Sequence, residues 1–208
     1  MQELNLKRQI RPEAFQTRIS RLVRSAALKI ASSLNGTGID LGCGNGLFIL
    51  DCMADESVNL ELFGLDYDIK SLKNGHLLFQ DNQFNPNRFV SGDFFKLPFA
   101  NEHFDVVFCL NTLVNLHPFT KIANLISEMH RICKPGGKII LDYRNKHNPL
   151  LRLKYLTNIF TGRITTYGHT LSNFSEIINH LNIKILEKIP LGHKFTITAA
   201  GFMLILEK

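Results

Sequence analysis

The chain has 208 residues, of which 45% are hydrophobic and 20% charged, so its length and composition predict one folded domain with a single well-filled core. No apolar run approaches the roughly 20 residues of a membrane-spanning helix, and the N-terminus has no apolar signal region. We therefore expect a cytoplasmic protein without stable membrane insertion. The four cysteines follow no C-x-x-C spacing, which predicts neither a zinc knuckle nor a disulfide framework.

The net charge of +6 is concentrated in two blocks of the chain. Residues 1–35 contain seven lysines and arginines against two acids, and residues 134–163 contain seven against one. Such blocks are usually solvated faces, but they also suit the rim of a site for an anionic substrate or a nucleic acid. The sequence leaves both interpretations open.

The predicted elements alternate between helices and strands. An amphipathic helix lies between Pro12 and Leu34, and its apolar stripe indicates packing on the domain core more than on a membrane surface. Strands are predicted over 38–41, 60–65, 88–91, 104–110 and 138–143, with helices over 47–53, 69–79 and 120–133. This alternation predicts a parallel sheet with helices on both faces.

The C-terminal part of the chain has a different pattern. A predicted helix over 171–181 precedes two apolar segments, 183–189 and 199–207, whose connection is too short for a crossover helix. Adjacent strands with so short a connection pair antiparallel. The predicted fold is thus a doubly wound α/β domain, with a mostly parallel seven-stranded sheet that ends in an antiparallel hairpin.

The stretch GIDLGCGNGLF at 38–48 contains the first predicted strand and the glycine-rich turn that follows it. Gly42, Gly44 and Gly46 form G-x-G-x-G, whereas the dinucleotide fingerprint needs its third glycine one position later, where Leu47 stands. Glycine lets the backbone approach a ligand closely. Asp66, at the end of the next strand, can accept hydrogen bonds from ribose hydroxyls, so the two features predict a site for an adenosine-containing ligand.

Three further segments follow in order: GDFFKLPF at 92–99, FDVVFCLN at 104–111 and RICKPGGKIILDY at 131–143. Together with IDLGCGNG and Asp66, they make the chain resemble a class I S-adenosylmethionine-dependent methyltransferase between about residues 38 and 143. The resemblance implies S-adenosylmethionine as cofactor, with S-adenosylhomocysteine as its product. It divides the single domain, 1–208, into an N-terminal helical segment (1–35), a cofactor-binding core (36–143), a substrate lid (144–170) and a final helix and hairpin (171–208).

The resemblance also implies a set of cofactor-binding residues at the ends of the first strands. The methionine moiety is assigned to the glycine loop and the acid before it, with the carboxylate near the ammonium group. These residues are Asp40, Gly42, Cys43, Gly44 and Gly46.

The nucleoside and the sulfonium are assigned to the next three strand ends. Asp66 would bind the ribose hydroxyls and Tyr67 would pack on the adenine ring. Asp93 would accept a hydrogen bond from the adenine amino group, and the backbone of Phe94 would meet a ring nitrogen. Asn111 would lie beside the sulfonium, with its backbone carbonyl group next to the sulfur.

Candidates for catalysis and acceptor binding lie farther along the chain. His117, near the expected mouth of the site, is a candidate general base, with a capping or packing role as the alternative. Tyr143, Arg144 and Asn145 follow the fifth strand at the edge where open α/β sheets bind ligands. We expect the first two to act in catalysis and Asn145 to contact the acceptor.

The segment 144–170 is an insertion that combines cations with aromatic residues. One interpretation is a solvated cover, and the other is a lid that recognises a phosphate, a carboxylate or a sugar phosphate. In the second, Tyr167 and His169 face the acceptor.

The residues after the fourth strand, Asn111-Thr112-Leu113-Val114, differ from the N-P-P-Y signature of relatives that methylate exocyclic or amide nitrogens. Because the side chains near this position are neutral, no metal is predicted. The predicted function is methyl transfer to oxygen or nitrogen of a small molecule, with an anionic or glycan-like acceptor as one candidate. An RNA-modifying methyltransferase and a catalytically silent partner subunit are the alternatives.

Overall fold

The computed structural model describes residues 17–153, 168–193, 195 and 197–208. Its helices are α1 (Arg18–Ala31), α2 (Leu47–Met53), α3 (Ile69–Asp81), α4 (Phe119–Ile132) and α5 (Leu171–His180). Its strands are β1 (Asn35–Leu41), β2 (Asn59–Asp66), β3 (Phe89–Ser91), β4 (Phe104–Cys109), β5 (Cys133–Asn145), β6 (Gly168–His169), β7 (Lys184–Leu191) and β8 (Gly201–Glu207). None of the helices within these ranges is long and apolar enough to cross a bilayer.

One sheet organises the fold, with strand order β3-β2-β1-β4-β5-β8-β7. The pairs from β3 to β5 are parallel, while β8 runs antiparallel to both β5 and β7. The doubly wound fold with a C-terminal hairpin is therefore confirmed. The two-residue strand β6 is an addition, and it pairs with Arg144 and Asn145 beyond the last β4 partner on β5.

Helices cover both faces of this sheet, and β5 shows how the faces are divided. Leu141 and Tyr143 belong to a core cluster with α4 and α5 side chains, whereas Ile140 packs in a second cluster with α1, α2 and α3. Because successive strand residues point to opposite faces, Asp142 and Arg144 lie on the Ile140 side. The strand order reverses between β1 and β4, where open α/β sheets hold ligands at the carboxyl ends of the strands.

The junction between α4 and β5 differs from the prediction, which separated the two by a turn at 134–137. The strand already begins at Cys133, directly after the helix. Phe104 of β4 pairs with Cys133, but Val106 pairs with Lys138, so the intervening residues of β5 bulge out of the ladder. Gly136, with φ of +75°, supplies the left-handed conformation that this bulge uses.

Candidate active site

A cavity of about 470 Å³ opens at the carboxyl ends of β1, β2 and β4, and we call it the main cavity. Eight of the ten predicted cofactor residues line it: Asp40, Gly42, Cys43, Gly44, Asp66, Tyr67, Phe94 and Asn111. Gly46 and Asp93 are outside its lining. Its volume lies within the range of ordinary small-molecule sites.

The glycine loop forms one wall of the main cavity and adopts left-handed backbone conformations. Gly42, Gly44 and Gly46 have φ of +79°, +56° and +73°. A Cβ atom on Gly42 would stand 2.2 Å from the Thr112 hydroxyl oxygen, and one on Gly46 would stand 2.5 Å from the ring of Phe89. At Gly42 and Gly46, both the backbone conformation and the lack of space for a side chain therefore require glycine. Gly46 also ends the loop, because it is the N-cap of α2.

Asp66 lies at the end of β2 and is held by two backbone amides. Gly44 N–H donates to its Oδ2 over 2.8 Å, and Asp68 N–H donates to its Oδ1 over 2.9 Å. Asp68 in turn caps α3 by accepting from Lys70 N–H. These bonds fix the Asp66 carboxylate in the cavity wall with lone pairs left for a ligand's hydroxyl groups.

Asp40, at the end of β1, is 3% exposed, and its Oδ1 has no hydrogen-bond partner among the described residues. Burial, with added repulsion from Asp66 and Asp142, raises the pKa of Asp40 to about 8, and a backbone hydrogen bond at Leu110 offsets part of this shift. A buried carboxyl oxygen without a partner destabilises the chain. A cationic group in the main cavity would supply the missing partner.

Two aromatic side chains form the opposite wall of the main cavity. Tyr67 is 72% exposed, and its ring meets that of the buried Phe94 edge-on, with centroids 6.1 Å apart. Such a pair offers apolar surface for a flat heterocycle. Asp93 is exposed, and its carboxylate accepts from Phe95 N–H over 3.0 Å.

The third wall is organised by a closed network at the ends of β4 and β5. Asn111 has φ of +56°, and its N–H donates to Asp142 Oδ1. Arg144 donates from Nη2 to Asn111 Oδ1 over 2.7 Å and from Nη1 to Asp142 Oδ2. Burial raises the pKa of Asp142, and the charge of Arg144 opposes that shift. Arg144 is therefore placed behind Asn111, outside the lining of the main cavity.

Comparison with known families identifies this arrangement. Residues 39–141, which run from the end of β1 through β4 and Asn111 into β5, match the family model described as Methyltransferase domain. The chain belongs to the class I S-adenosylmethionine-dependent methyltransferases.

The relatives of this methyltransferase include two enzymes named for quinone substrates. A demethylmenaquinone methyltransferase from Roseiflexus is 33% identical over 118 residues, covering 56% of this chain and 47% of that protein. A 2-phytyl-1,4-naphtoquinone methyltransferase from Nostoc punctiforme is 30% identical over 135 residues, covering 64% and 57%. The chain thus spans about half the length of the curated relatives that it matches.

A solved structure supports the fold of the methyltransferase over its whole length. Magnesium protoporphyrin IX methyltransferase from Synechocystis, with bound S-adenosylhomocysteine, superposes with a TM-score of 0.68. The two chains are 20% identical, and the match covers 100% of this chain and 94% of that one. At this identity the likeness concerns the fold.

Arg24 is a cavity residue that the sequence analysis missed. It lies on α1, is 8% exposed and lines the main cavity together with Ser20. Its Nε donates to Asp51 Oδ2 over 3.2 Å. The apolar stripe of α1 predicts packing on the domain core and gives its arginines no role in a site. The available signal was spacing, because Arg24 directly follows the buried Val23 and therefore lies at the border of the apolar stripe.

One predicted catalytic residue and two predicted acceptor residues meet around a different space, which we call the second cavity. Its volume is about 160 Å³, and Tyr143, Asn145 and His169 line it. Tyr143 points away from the main cavity because it lies on the α4 and α5 face of β5. The predicted roles of these three residues stay predictions, whereas their proximity to one another is a finding.

The last predicted residues are His117 and Tyr167. His117 is exposed and follows Leu116, which lines the main cavity. Tyr167 lies outside the described residues, as do positions 154–166 of the predicted lid. Within the described ranges, no cluster of three or more His, Cys, Asp or Glu could hold a metal ion.

Proposed function

We propose that this methyltransferase moves the methyl group of S-adenosylmethionine to a small-molecule acceptor. The observation that carries the proposal is the buried Asp40 Oδ1, which lacks a hydrogen-bond partner among the described residues, in a cavity lined mostly by the matched family segment. The sequence favours oxygen or nitrogen of an anionic or glycan-like acceptor. Because the relatives include enzymes named for naphthoquinone and menaquinone compounds, we add ring carbon to the candidate acceptor atoms.

In this proposal the main cavity holds the cofactor by its two ends. Asp40 would pair with the ammonium group, and Arg24 on α1 would meet the carboxylate of the methionine moiety. The fixed Asp66 carboxylate would accept from the ribose hydroxyls, while Tyr67 and Phe94 would pack on the adenine ring. Each assignment pairs a cavity side chain with a group of opposite charge or matching shape.

The chain's contribution to the reaction is alignment in a water-poor space. Bound S-adenosylmethionine supplies a methyl group on a positively charged sulfur, ready for in-line displacement. The buried Asp142 and Arg144 hold Asn111 in its left-handed conformation, which fixes the cavity wall between cofactor and acceptor. Positioning of this kind can supply much of the acceleration. His117 would accept a proton only if the attacking atom carries one.

Binding of S-adenosylhomocysteine, measured by isothermal titration calorimetry, tests the cofactor site. Arg24→Gln is expected to lower the affinity at least tenfold, since it removes a charge from the cavity lining. Arg21→Gln, on the exposed side of the same helix, is the matched control and should bind like the wild type. Stabilisation by NADH and not by S-adenosylhomocysteine would contradict the proposal.

The same preparation separates the alternative functions. Methyl transfer by the purified chain alone would exclude a silent partner subunit. RNA binding with a steep salt dependence would favour RNA modification. The structure weakens that alternative at one point, because Arg144, counted in the second basic block, is buried and paired with Asp142.

A further inference from the structure

The second cavity contains two buried polar side chains whose hydrogen-bonding groups are unused. Tyr143 is 1% exposed and His169 is 8% exposed. The Tyr143 hydroxyl and the His169 Nε2 atom have no hydrogen-bond partner among the described residues. Buried polar atoms are nearly always paired, so two unpaired atoms on one small cavity indicate a ligand that pairs with them.

Both rings are held in place by aromatic neighbours. The Tyr143 ring lies between those of Phe174 and Phe202, with centroids 5.0 Å and 5.5 Å away. The His169 ring packs against Phe119 at 5.6 Å and Phe174 at 5.9 Å. Side chains fixed in this way present their polar atoms in a defined direction, and a ligand that binds them does not have to order them.

The surroundings of the two rings are positively charged. No Asp or Glu is among the described residues that line the second cavity, whereas Lys188 lines it. Burial lowers the pKa of His169, and the charges of Lys146 and His117 lower it further. Burial raises the pKa of Tyr143 to about 12, so its hydroxyl stays a donor. Donors in a positive field favour an anionic group.

The size and the apolar walls of the second cavity limit the rest of the ligand. A volume of about 160 Å³ compares with the roughly 150 Å³ of a cavity that admits benzene. Leu171, Ile197 and Phe202 supply apolar surface. This space fits one six-membered ring or a body of similar size, which is smaller than an oligosaccharide.

Asn145 lines this cavity, but its side-chain amide is hydrogen-bonded within the protein. The hydrogen-bond donors for a ligand therefore come from other residues. The Asn145 Nδ2 donates to the carbonyl oxygen of Ala199 over 3.1 Å, and its Oδ1 accepts from His147 N–H over 3.0 Å. These bonds tie the segment before β8 to the end of β5. Asn145 is therefore placed as a wall of the second cavity.

The end of β5 connects the residues that line the two cavities. Arg144, between Tyr143 and Asn145, donates to Asn111, which lines the main cavity. On the other side, Leu116 lines the main cavity, and its neighbour His117 is close enough to His169 to influence its charge. A compound in the second cavity would thus contact the segment that carries Arg144, and Arg144 holds the Asn111 wall of the main cavity.

We propose that the second cavity binds the carboxylate of the methyl acceptor, carried on a body about the size of one six-membered ring. The Tyr143 hydroxyl and His169 Nε2 donate to this carboxylate, and Lys188 adds charge. This inference rests on the proposed function for the statement that the ligand is the acceptor. The selectivity for a ring-sized carboxylate rests on the second cavity alone.

Titration of the full chain with benzoate, followed by calorimetry, tests this selectivity, with benzamide as the neutral ligand of equal shape. Benzoate is expected to bind at least tenfold more tightly than benzamide. Tyr143→Phe and Lys188→Met should each weaken benzoate binding several-fold or more. Lys184→Met, on the same strand outside the cavity lining, is the matched control and should leave it unchanged.

The thermal midpoint of Tyr143→Phe distinguishes binding from a structural role. Because the substitution deletes a buried hydroxyl that lacks a partner, the midpoint should stay level or rise while benzoate affinity falls. Equal binding of benzoate and benzamide by the wild type would overturn the proposal. So would wild-type benzoate affinity in both Tyr143→Phe and Lys188→Met.

Methyl transfer from S-adenosylmethionine to hydroxybenzoates, compared with the matching hydroxybenzamides, tests the link to the acceptor. The carboxylates should be preferred, and Lys188→Met should raise KM more than it lowers kcat. If the proposed function fails, S-adenosylhomocysteine will not bind although benzoate does. If the further inference fails, S-adenosylhomocysteine will bind and the carboxylates will show no preference.

Discussion

Replacing Asp40 with asparagine is expected to stabilise the chain in the absence of cofactor, by an amount that grows with pH. The pKa of Asp40 is about 8 in the folded chain, against about 3.9 for an unfolded aspartate. Below pH 4 the acid is protonated in both states, so its ionisation costs no stability. Between pH 4 and 8 the folded state retains a proton that the unfolded state has lost, so the free energy of unfolding falls by about 1.4 kcal/mol per pH unit.

Asparagine keeps the shape and does not ionise, so the free-energy difference between variant and wild type should widen by about 2.7 kcal/mol from pH 5 to pH 7. Urea unfolding at pH 5, 6 and 7 measures this difference. Asp81→Asn, at the exposed end of α3, is the matched control and should show no such trend. A difference between Asp40→Asn and wild type that is constant over this range would refute the reasoning.

Three further predictions concern ligand binding at Asp40, the backbone at Gly42 and the network around Arg144. Each is measured by calorimetry or by urea unfolding. At pH 7, S-adenosylhomocysteine should displace about one proton from wild type and none from Asp40→Asn, because a cation beside the carboxyl lowers its pKa; equal proton release would contradict this. Gly42→Ala should lower the free energy of unfolding by about 2 kcal/mol or more, through backbone strain and the clash with Thr112. Gly136→Ala, which has open space at its Cβ, should lower it by about 1 kcal/mol. Equal losses of stability in the two variants would refute the steric argument. Arg144→Met should destabilise by about 3–5 kcal/mol because it leaves a buried carboxylate unpaired, and a loss below about 1 kcal/mol would show that the network is dispensable.

Local patterns in the sequence determined the helices and strands and the glycine loop that forms one wall of the main cavity. The alternation of apolar segments predicted the sheet, since strand and helix periodicity depend on neighbours within a few residues. Gly42, Gly44 and Gly46 predicted a backbone that only glycine adopts with ease, and all three have positive φ. The cap of α3 is equally local, because Asp68 accepts from the N–H of Lys70, two residues later in the chain.

Only the tertiary structure decided which of these residues share a space. Arg24 reaches the main cavity because α1 packs beside α2, and Arg144 turns to Asn111 because β4 and β5 are neighbours in the sheet. Tyr143 and Arg144 are adjacent in sequence, yet the pleat of β5 sends them to opposite faces. The sequence by itself therefore determined the local conformations, whereas the sheet order decided the contents of each cavity, because the contributing residues lie on segments far apart in the chain.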